Sequence, residues 1–183
     1  MADLGPITWP PAPIRTERLL LRQPVAADRA AVIELSASPE VSTYIGGPQP
    51  RAELERTVSA VPKTHPGQFV VDLDGAMIGL VQLDRRGGDY LVGPAVGKVE
   101  LGYLFLPESW GHGYAAEACA AALDWFAGEM PDEPVVLTTQ SANERSMRLA
   151  ARLGFTEQER FEAWGAEQWL GVRPATASAP DRA

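Results

Sequence analysis

The chain has 183 residues, 45% of them apolar and 22% charged, which is enough for one domain with a sizeable core. Its formal net charge of −8 at pH 7 argues against nucleic acid as a general partner, because an acidic surface repels phosphate backbones. The same charge weakly favours a cationic ligand. With one cysteine, Cys119, and only two histidines, neither an internal disulfide nor a metal-ligand cluster is predicted.

Neither a targeting segment nor a membrane span is expected. The N-terminus lacks a basic stretch followed by an apolar one, as a secretory signal would have. No apolar run approaches the length of about 18 residues that a spanning helix requires. A single thiol is compatible with a reducing compartment, and we expect the protein in the cytoplasm.

The two ends of the chain differ in composition from the body. Residues 1–13 contain four prolines, which remove hydrogen-bond donors and fix φ, so an extended lead-in is predicted. Residues 174–183 are mostly small or polar and contain two prolines, which predicts a disordered tail. Residues 14–173 are therefore expected to form a single domain.

The first half of this domain predicts antiparallel strands and short helices. Asp74-Gly75 between two apolar runs is a strong signal for a tight hairpin turn. Residues 87–97 contain four glycines and a proline, and are predicted to form a flexible flap. The elements expected here are a strand at 18–23, helices at 26–35, from 38 and at 51–61, and strands at 68–73 and 76–84.

The second half predicts alternating strands and helices. Its elements are a strand at 98–106, a helix at 113–128, a strand at 135–140, a helix at 143–153, and strands at 155–163 and 168–173. Antiparallel strands followed by a strand–helix–strand–helix run indicate the α/β class with a mixed sheet.

A glycine loop, Trp110-Gly111-His112-Gly113-Tyr114-Ala115, lies between a predicted strand and a predicted helix. The first N–H groups of a helix have no partner within it, and the helix dipole adds partial positive charge there. Glycine allows positive φ and a close approach of the backbone to a ligand. The loop therefore predicts a phosphate-binding site.

The glycine loop can be compared first with two common phosphate-binding motifs. A P-loop is excluded because no Gly-Lys-Ser/Thr follows. The dinucleotide fingerprint is formally present in Gly111-x-Gly113-x-x-Ala116, and leaves an oxidoreductase as an alternative. That fingerprint also requires an acidic residue about 20 positions later, where the next strand ends in Thr138-Thr139-Gln140 instead. A glycine loop without any ligand is the other alternative.

The segment from Glu100 to Ala118 resembles the coenzyme-A-binding segment of the GNAT superfamily, in the branch typified by ribosomal-protein N-terminal acetyltransferases. The core motif of the superfamily is Gln/Arg-x-x-Gly-x-Gly/Ala. Gly113 and Ala115 match it, and Trp110 stands at the Gln/Arg position, as is usual in this branch. A second match is Asn143-Glu-Arg-Ser146, followed by Leu153-Gly154-Phe155. The resemblance covers residues 15–173.

The resemblance implies an acetyl-CoA-dependent N-acetyltransferase that uses no metal. The acceptor would be a primary amine, on a protein N-terminus or a small molecule, which attacks the thioester directly. The implied fold is a single domain whose mixed, mostly antiparallel sheet of about six or seven strands is splayed at the cofactor. An acyl-CoA-binding sensor without catalytic activity is the alternative function. Relatives commonly dimerise, so a homodimer is a further expectation.

The resemblance also implies roles for individual residues. Glu100 is expected to be the base and Ser146 to protonate the leaving thiolate. Glu100 has alternative roles as an exposed strand-start carboxylate or a salt-bridge partner. Ser146 has the alternative of a first-turn helix serine, and Asn143, a favoured N-cap residue, is also predicted to cap this helix. The acceptor site would be walled by Tyr44, Glu100 and Trp164. Trp169 lies in the same final strand pair as Trp164, and the alternative for all these aromatic rings is core packing. The expected cofactor contacts are Leu104, Phe105 and Leu106 through their backbones, Gly111, His112, Gly113, Tyr114 and Ala115 in the loop, and Asn143 and Ser146 in the last helix.

Three further features bear on these roles. Many other members of the superfamily carry a tyrosine on the helix of Ser146, but the present sequence has none between Val135 and Ala163. Cys119 falls on the apolar face of its helix and is predicted to be a buried thiol rather than a nucleophile. Arg145, Arg148 and Arg152 form a helical stripe, expected to be a solvated basic face or a contact for the 3′-phosphate of coenzyme A.

Overall fold

The structure, a computed structural model, describes residues 4–85 and 94–176. The described residues form one sheet of eight strands together with five α-helices. The strands are β1 (Ile14–Arg15), β2 (Leu20–Arg22), β3 (Gln68–Leu73), β4 (Ala76–Arg85), β5 (Val99–Phe105), β6 (Val135–Gln140), β7 (Thr156–Ala163) and β8 (Ala166–Arg173). The helices are α1 (Arg29–Ala37), α2 (Pro39–Ser42), α3 (Arg51–Thr57), α4 (Tyr114–Glu129) and α5 (Glu144–Arg152).

The strands follow the order β1-β2-β3-β4-β5-β6-β8-β7 across the sheet. All neighbouring pairs are antiparallel except β5 and β6, which are parallel. This architecture confirms the predicted α/β class with a mixed, mostly antiparallel sheet. The strand that the sequence did not predict is β1, two residues paired to β2 at the sheet edge directly after the proline-rich lead-in. None of the helices in the described ranges is long and apolar enough to cross a membrane.

Local sequence signals explain most of the element boundaries. Asp74 and Gly75 both have positive φ, 52° and 87°, as the predicted two-residue hairpin turn between β3 and β4 requires. Ser38 caps α2 by accepting a hydrogen bond from the N–H of Val41. Helix α3 ends at Thr57, four residues before the predicted end, because Val58 has extended backbone (φ −71°, ψ 118°). The flap predicted at 87–97 lies mostly outside the described residues, and 94–97 form a turn.

The two faces of the sheet have different coverings. Val99, Leu101 and Phe105 of β5 pack with buried residues of α4, so we call this side the α4 face. Leu104 of β5 packs with Leu35 of α1, which defines the opposite α1 face. Since successive side chains of a strand alternate between faces, Glu100 lies on the α1 face and Tyr103 on the α4 face.

The parallel strands β5 and β6 separate soon after they begin. They pair only at Val99 with Val135 and at Glu100 with Val136. Beyond these residues β5 continues alongside β4 to Phe105, while β6 continues alongside β8 to Gln140. The result is a V-shaped opening between the two strands, which we call the β5–β6 gap. The splayed sheet that the resemblance implied is therefore present.

A buried ion cluster joins the start of the domain to the sheet. Arg22 donates to both carboxylate oxygens of Asp28, at 2.7 and 2.9 Å, and to Asp72 of β3 at 2.8 Å. Burial acts to raise the pKa of Asp28, but hydrogen bonds from Arg22 and from the N–H of Val25 outweigh it and lower the pKa. Asp28 falls within the range 26–35 predicted as a helix, and lies in the short 3₁₀ turn that precedes α1.

We predict that Asp28→Asn destabilises the fold by about 3 kcal/mol, because Arg22 then keeps a buried charge with one of its two partners weakened. A carboxylate whose pKa is lowered in the folded state stabilises the protein above its unfolded pKa, about 3.9, and loses this contribution as pH falls further. Urea unfolding at pH 7 and at pH 3 should therefore show a smaller acid-induced loss in the variant. Glu144→Gln, which alters an exposed ion pair with Arg148, is the control and should leave the midpoint unchanged. Equal acid-induced losses in Asp28→Asn and wild type would contradict this account.

Candidate active site

The glycine loop has the backbone geometry that an anion site requires. Gly111 and Gly113 have φ of 83° and 81°, in the left-handed region that glycine adopts without strain. Gly113 is the N-cap of the 16-residue helix α4 and has no side chain with which to cap it. The first N–H groups of α4 are therefore left for a ligand at the positive end of the helix dipole.

Arg18, from the turn before β2, anchors this loop. Its guanidinium pairs with Glu117 in the first turn of α4 at 2.7 Å and donates to the carbonyl oxygen of His112 at 3.0 Å. It also lies over the ring of Tyr114, 4.7 Å from the centroid. Thr16 donates a further hydrogen bond to Glu117 at 2.6 Å. Sequence reasoning missed Arg18, because the 99 positions that separate it from Glu117 carry no local signal.

Trp110 connects the loop to the end of β5. Its indole Nε1 donates to the carbonyl oxygen of Phe105 at 2.8 Å. The guanidinium of Arg145 lies 5.7 Å from the centroid of the Trp110 ring. Of the predicted arginine stripe, Arg145 thus reaches the loop, whereas Arg148 pairs with Glu144 at the exposed surface.

The main chain of β5 reaches the gap only at alternate residues. The N–H of Leu106 donates to the carbonyl oxygen of Ile78 in β4, at 2.9 Å. Because alternate residues of an antiparallel strand face the same neighbour, Leu104 also directs its main-chain groups to β4, and those of Tyr103 and Phe105 face β6. Of the three backbones predicted to meet the cofactor, only that of Phe105 therefore faces the gap.

Glu100 lies at the closed end of the gap and is only 5% exposed. Its carboxylate accepts a hydrogen bond from the N–H of Thr138 at 3.1 Å. The N–H of Ser141 donates to β8. Because the main-chain groups of successive residues face opposite neighbouring strands, the N–H of Thr138 faces β5. The Glu100 carboxylate takes the place of the backbone carbonyl that would accept this N–H in a continuous parallel ladder. Its burial rules out the alternative of an exposed carboxylate at the strand start.

Ser146 lies in the first turn of α5 on the other side of the gap. Asn143, the N-cap of α5, accepts a hydrogen bond from the N–H of Ser146 at 3.2 Å. The Ser146 hydroxyl is buried and lies 2.6 Å from the hydroxyl of Tyr103 in β5. Burial raises the pKa of the Tyr103 phenol. Sequence reasoning missed Tyr103, because a contact between a strand residue and a helix residue 43 positions later leaves no local signal.

The predicted acceptor-site aromatics lie toward the far end of β6. The backbone carbonyl of Tyr44 accepts a hydrogen bond from the side chain of Gln140 at 3.3 Å, which joins the segment after α2 to the end of this strand. Trp164 is in the β7–β8 turn with φ of 51° and is 61% exposed, without a described contact to Glu100. Trp169 is buried in the core of the α4 face, and its indole N–H donates to Glu157. Its ring therefore packs in the core.

Two other kinds of chemistry find no support among the described residues. Cys119 is fully buried in α4, and burial raises the pKa of its thiol, which disfavours the thiolate that a nucleophile requires. The prediction of a buried structural thiol is confirmed. In the ranges 4–85 and 94–176 no group of three or more His, Cys, Asp or Glu side chains is arranged to hold a metal ion.

Comparison with known families agrees with this geometry. Residues 18–156, which include the loop, the gap and α5, match the profile of the acetyltransferase (GNAT) domain. The chain belongs to the GNAT acetyltransferase family. Acetyl transfer is the general reaction of this family, and the resemblance of the sequence to it is confirmed.

Relatives and solved structures support the same assignment. The chain is 27% identical over 152 residues to the uncharacterized N-acetyltransferase YnaD of Bacillus subtilis, covering 81% of this chain and 85% of YnaD. A crystal structure of an acetyltransferase from Agrobacterium tumefaciens is 28% identical, with a TM-score of 0.68 over 91% of this chain and 96% of that one. The ribosomal L7/L12 alpha-N-protein acetyltransferase RimL, solved with coenzyme A, shares the fold at 15% identity, with a TM-score of 0.68 over 91% and 100% of the two chains.

Proposed function

We propose that the protein is an acetyl-CoA-dependent N-acetyltransferase that transfers the acetyl group to a primary amine by direct attack on the thioester. The observation that carries this proposal is the arrangement of the β5–β6 gap. A buried carboxylate, Glu100, lies on one side of it and a buried hydroxyl, Ser146, on the other. Both flank an opening that leads from the sheet to the glycine loop.

Acetyl-CoA would bind with its pyrophosphate at the loop. The N–H groups of residues 111–115 and the positive end of α4 suit two adjacent phosphates. The pantetheine arm would lie in the gap, where the main chain of Phe105 and the side chain of Asn143 offer hydrogen bonds to its amides. A ligand that pairs with an open strand in this way acts as a substitute strand.

Glu100 would serve as the base on the α1 face. An α-amine has a pKa near 8, so about a tenth of it is neutral at pH 7, whereas only about one lysine amine in 2,500 is neutral. As the nitrogen–carbon bond forms, the surplus proton on nitrogen passes to the Glu100 carboxylate, directly or through a water. The carboxylate already accepts the N–H of Thr138, which fixes its orientation toward the gap.

Ser146 would complete the transfer on the α4 face. When the tetrahedral intermediate collapses, the carbon–sulfur bond breaks and its electron pair remains on sulfur. The thiolate takes a proton from the Ser146 hydroxyl. Ser146 then regains a proton from solvent and the protonated Glu100 releases one to it, so both groups return to their starting states. The two proton transfers thus take place on opposite sides of the sheet, so the base and the acid do not neutralise one another.

The acceptor would approach from the α1 face, on which Glu100 lies. Its class is a primary amine on a protein N-terminus or on a small molecule, with Tyr44 and Trp164 as candidate contacts at the rim. The net charge of −8 favours a cationic acceptor over long range. The action of RimL on a protein N-terminus makes N-terminal peptides the first acceptors to test.

The direct test is release of coenzyme A thiol from acetyl-CoA in the presence of a panel of amines, which should include N-terminal peptides, amino acids, lysine peptides and polyamines. Thiol release that requires both the protein and one class of amine would support the proposal. Tight coenzyme A binding without thiol release for any amine would instead favour an acyl-CoA-binding sensor. Saturable NAD binding would favour the dinucleotide alternative.

We predict that Glu100→Gln lowers kcat/KM for the amine about 100-fold at pH 7, because the amide cannot accept the proton. The loss should shrink as pH rises and the free amine becomes neutral without help. The pH–rate profile against the best amine measures this effect. Glu159→Gln, at an exposed position of β7, is the matched control. A profile of Glu100→Gln that coincides with wild type across pH would remove Glu100 from the mechanism.

We also predict that Gly113→Ala weakens coenzyme A binding about tenfold. Alanine at φ of 81° costs about 1–2 kcal/mol, so the loop would shift away from the conformation that presents its N–H groups. Calorimetric titration with coenzyme A gives the affinity. Gly128→Ala is the control, because Gly128 lies within α4 with open space around it and alanine suits a helix there. Equal affinities for the two variants would show that loop geometry does not control binding.

A further inference from the structure

Two hydroxyl groups face each other across the open end of the sheet. The Tyr103 phenol of β5 lies 2.6 Å from the Ser146 hydroxyl of α5, which is a short hydrogen bond between two oxygens. Ser146 is buried, and Tyr103 packs against the core of the α4 face. The pair therefore sits in a largely dry environment, in which a hydrogen bond of fixed direction is stronger than in water.

The remaining contacts restrict how this pair is oriented. The N–H of Ser146 is held by Asn143, which fixes the backbone of the serine relative to the gap. Each of the two hydroxyls has a single hydrogen to donate, so only one of them can donate within the pair. A phenol is more acidic than an aliphatic alcohol and is the better donor. If Tyr103 donates, the hydrogen of Ser146 is left to point elsewhere.

We propose that Tyr103 is a positioning residue that donates its hydrogen bond to Ser146 Oγ and thereby directs the Ser146 O–H into the β5–β6 gap, toward the departing sulfur. This inference rests on the proposed acetyltransferase function and assigns a role within it to a residue to which the family resemblance gave none. Because burial raises the pKa of Tyr103, the phenol keeps its proton over the whole range of an ordinary assay.

The step balances with a single proton returned from solvent. The carbon–sulfur bond breaks, the sulfur takes the proton of Ser146 Oγ, and negative charge develops on that oxygen. The hydrogen bond from Tyr103 stabilises this charge until solvent returns a proton to Ser146. A donor aimed at developing charge in a site shielded from water is worth more than the same contact at the surface.

A double-mutant cycle of Tyr103→Phe and Ser146→Ala tests the inference. Tyr103→Phe removes one oxygen atom and keeps the ring, and should lower kcat about tenfold while the KM for acetyl-CoA stays within about twofold. Ser146→Ala should lower kcat further. The double variant should be no slower than Ser146→Ala alone, because Tyr103 acts only through Ser146. Independent, additive losses would overturn the proposal.

A second measurement separates this role from simple packing. Coenzyme A and desulfo-coenzyme A differ at the sulfur, so the ratio of their affinities reports the hydrogen bond at that atom. Tyr103→Phe should reduce the preference for coenzyme A severalfold and leave the affinity for desulfo-coenzyme A unchanged. Equal weakening of both ligands would indicate a structural role and overturn the proposal. Ser146→Thr, which keeps the hydroxyl, should retain the sensitivity to Tyr103→Phe.

The controls separate a failure of the role assigned to Tyr103 from a failure of the proposed acetyltransferase function. Ser36→Ala removes a helix hydroxyl that bonds the Val32 carbonyl in α1, and should leave kcat and the affinity ratio unchanged. If wild type releases thiol with an amine but Tyr103→Phe matches it in kcat and in affinity ratio, only the role of Tyr103 fails. If wild type releases no thiol with any amine, the proposed function and the role of Tyr103 both fail.

Discussion

The separation of β5 and β6 is the constraint on which the candidate site depends. Once two parallel strands part inside a sheet, their main-chain groups need other partners, since a buried unpaired N–H or C=O is costly. Two side chains supply such partners. Glu100 accepts the N–H of Thr138 at the closed end, and Trp110 donates to the carbonyl of Phe105 at the open end. The opening is thus maintained by hydrogen bonds at both ends, and the stretch between them is left for a ligand.

The alternation of side chains along β5 then divides the chemistry between two faces. Glu100 and Tyr103 are three positions apart, an odd number, so they necessarily point to opposite sides of the sheet. The α1 face receives a carboxylate and the α4 face receives a pair of hydroxyls. A one-residue change of register would move Glu100 into the core beneath α4 and Tyr103 onto the acceptor side. The apolar neighbours Leu101 and Phe105, which must face α4, therefore also fix which side carries the base.

Whether the sequence could predict an interaction depended on how far apart its residues lie along the chain. The Asp74-Gly75 hairpin, the glycine loop and the N-cap at Asn143 depend on residues within a few positions of one another, and all three were predicted. The Arg18–Glu117 pair spans 99 positions and the Tyr103–Ser146 contact spans 43, and neither leaves a local pattern. The sequence also could not predict which residues of β5 direct their main-chain groups into the gap, because this is set by the pairing of β5 with β4. The motif therefore predicted that β5 would contact the cofactor, but not which of its residues direct their main-chain groups into the gap.

Trp110 stands at the Gln/Arg position of the superfamily motif and joins the loop to the end of β5. Indole has one donor and no acceptor, so its N–H is directed to a carbonyl, and the carbonyl it meets is that of Phe105 at the mouth of the gap. Arg145 covers its ring from α5, and Arg18 holds the other side of the loop through His112 and Glu117. These contacts hold the loop in place from three elements of the protein. A loop ordered beforehand loses little conformational entropy on binding, so more of its hydrogen bonding is expressed as affinity.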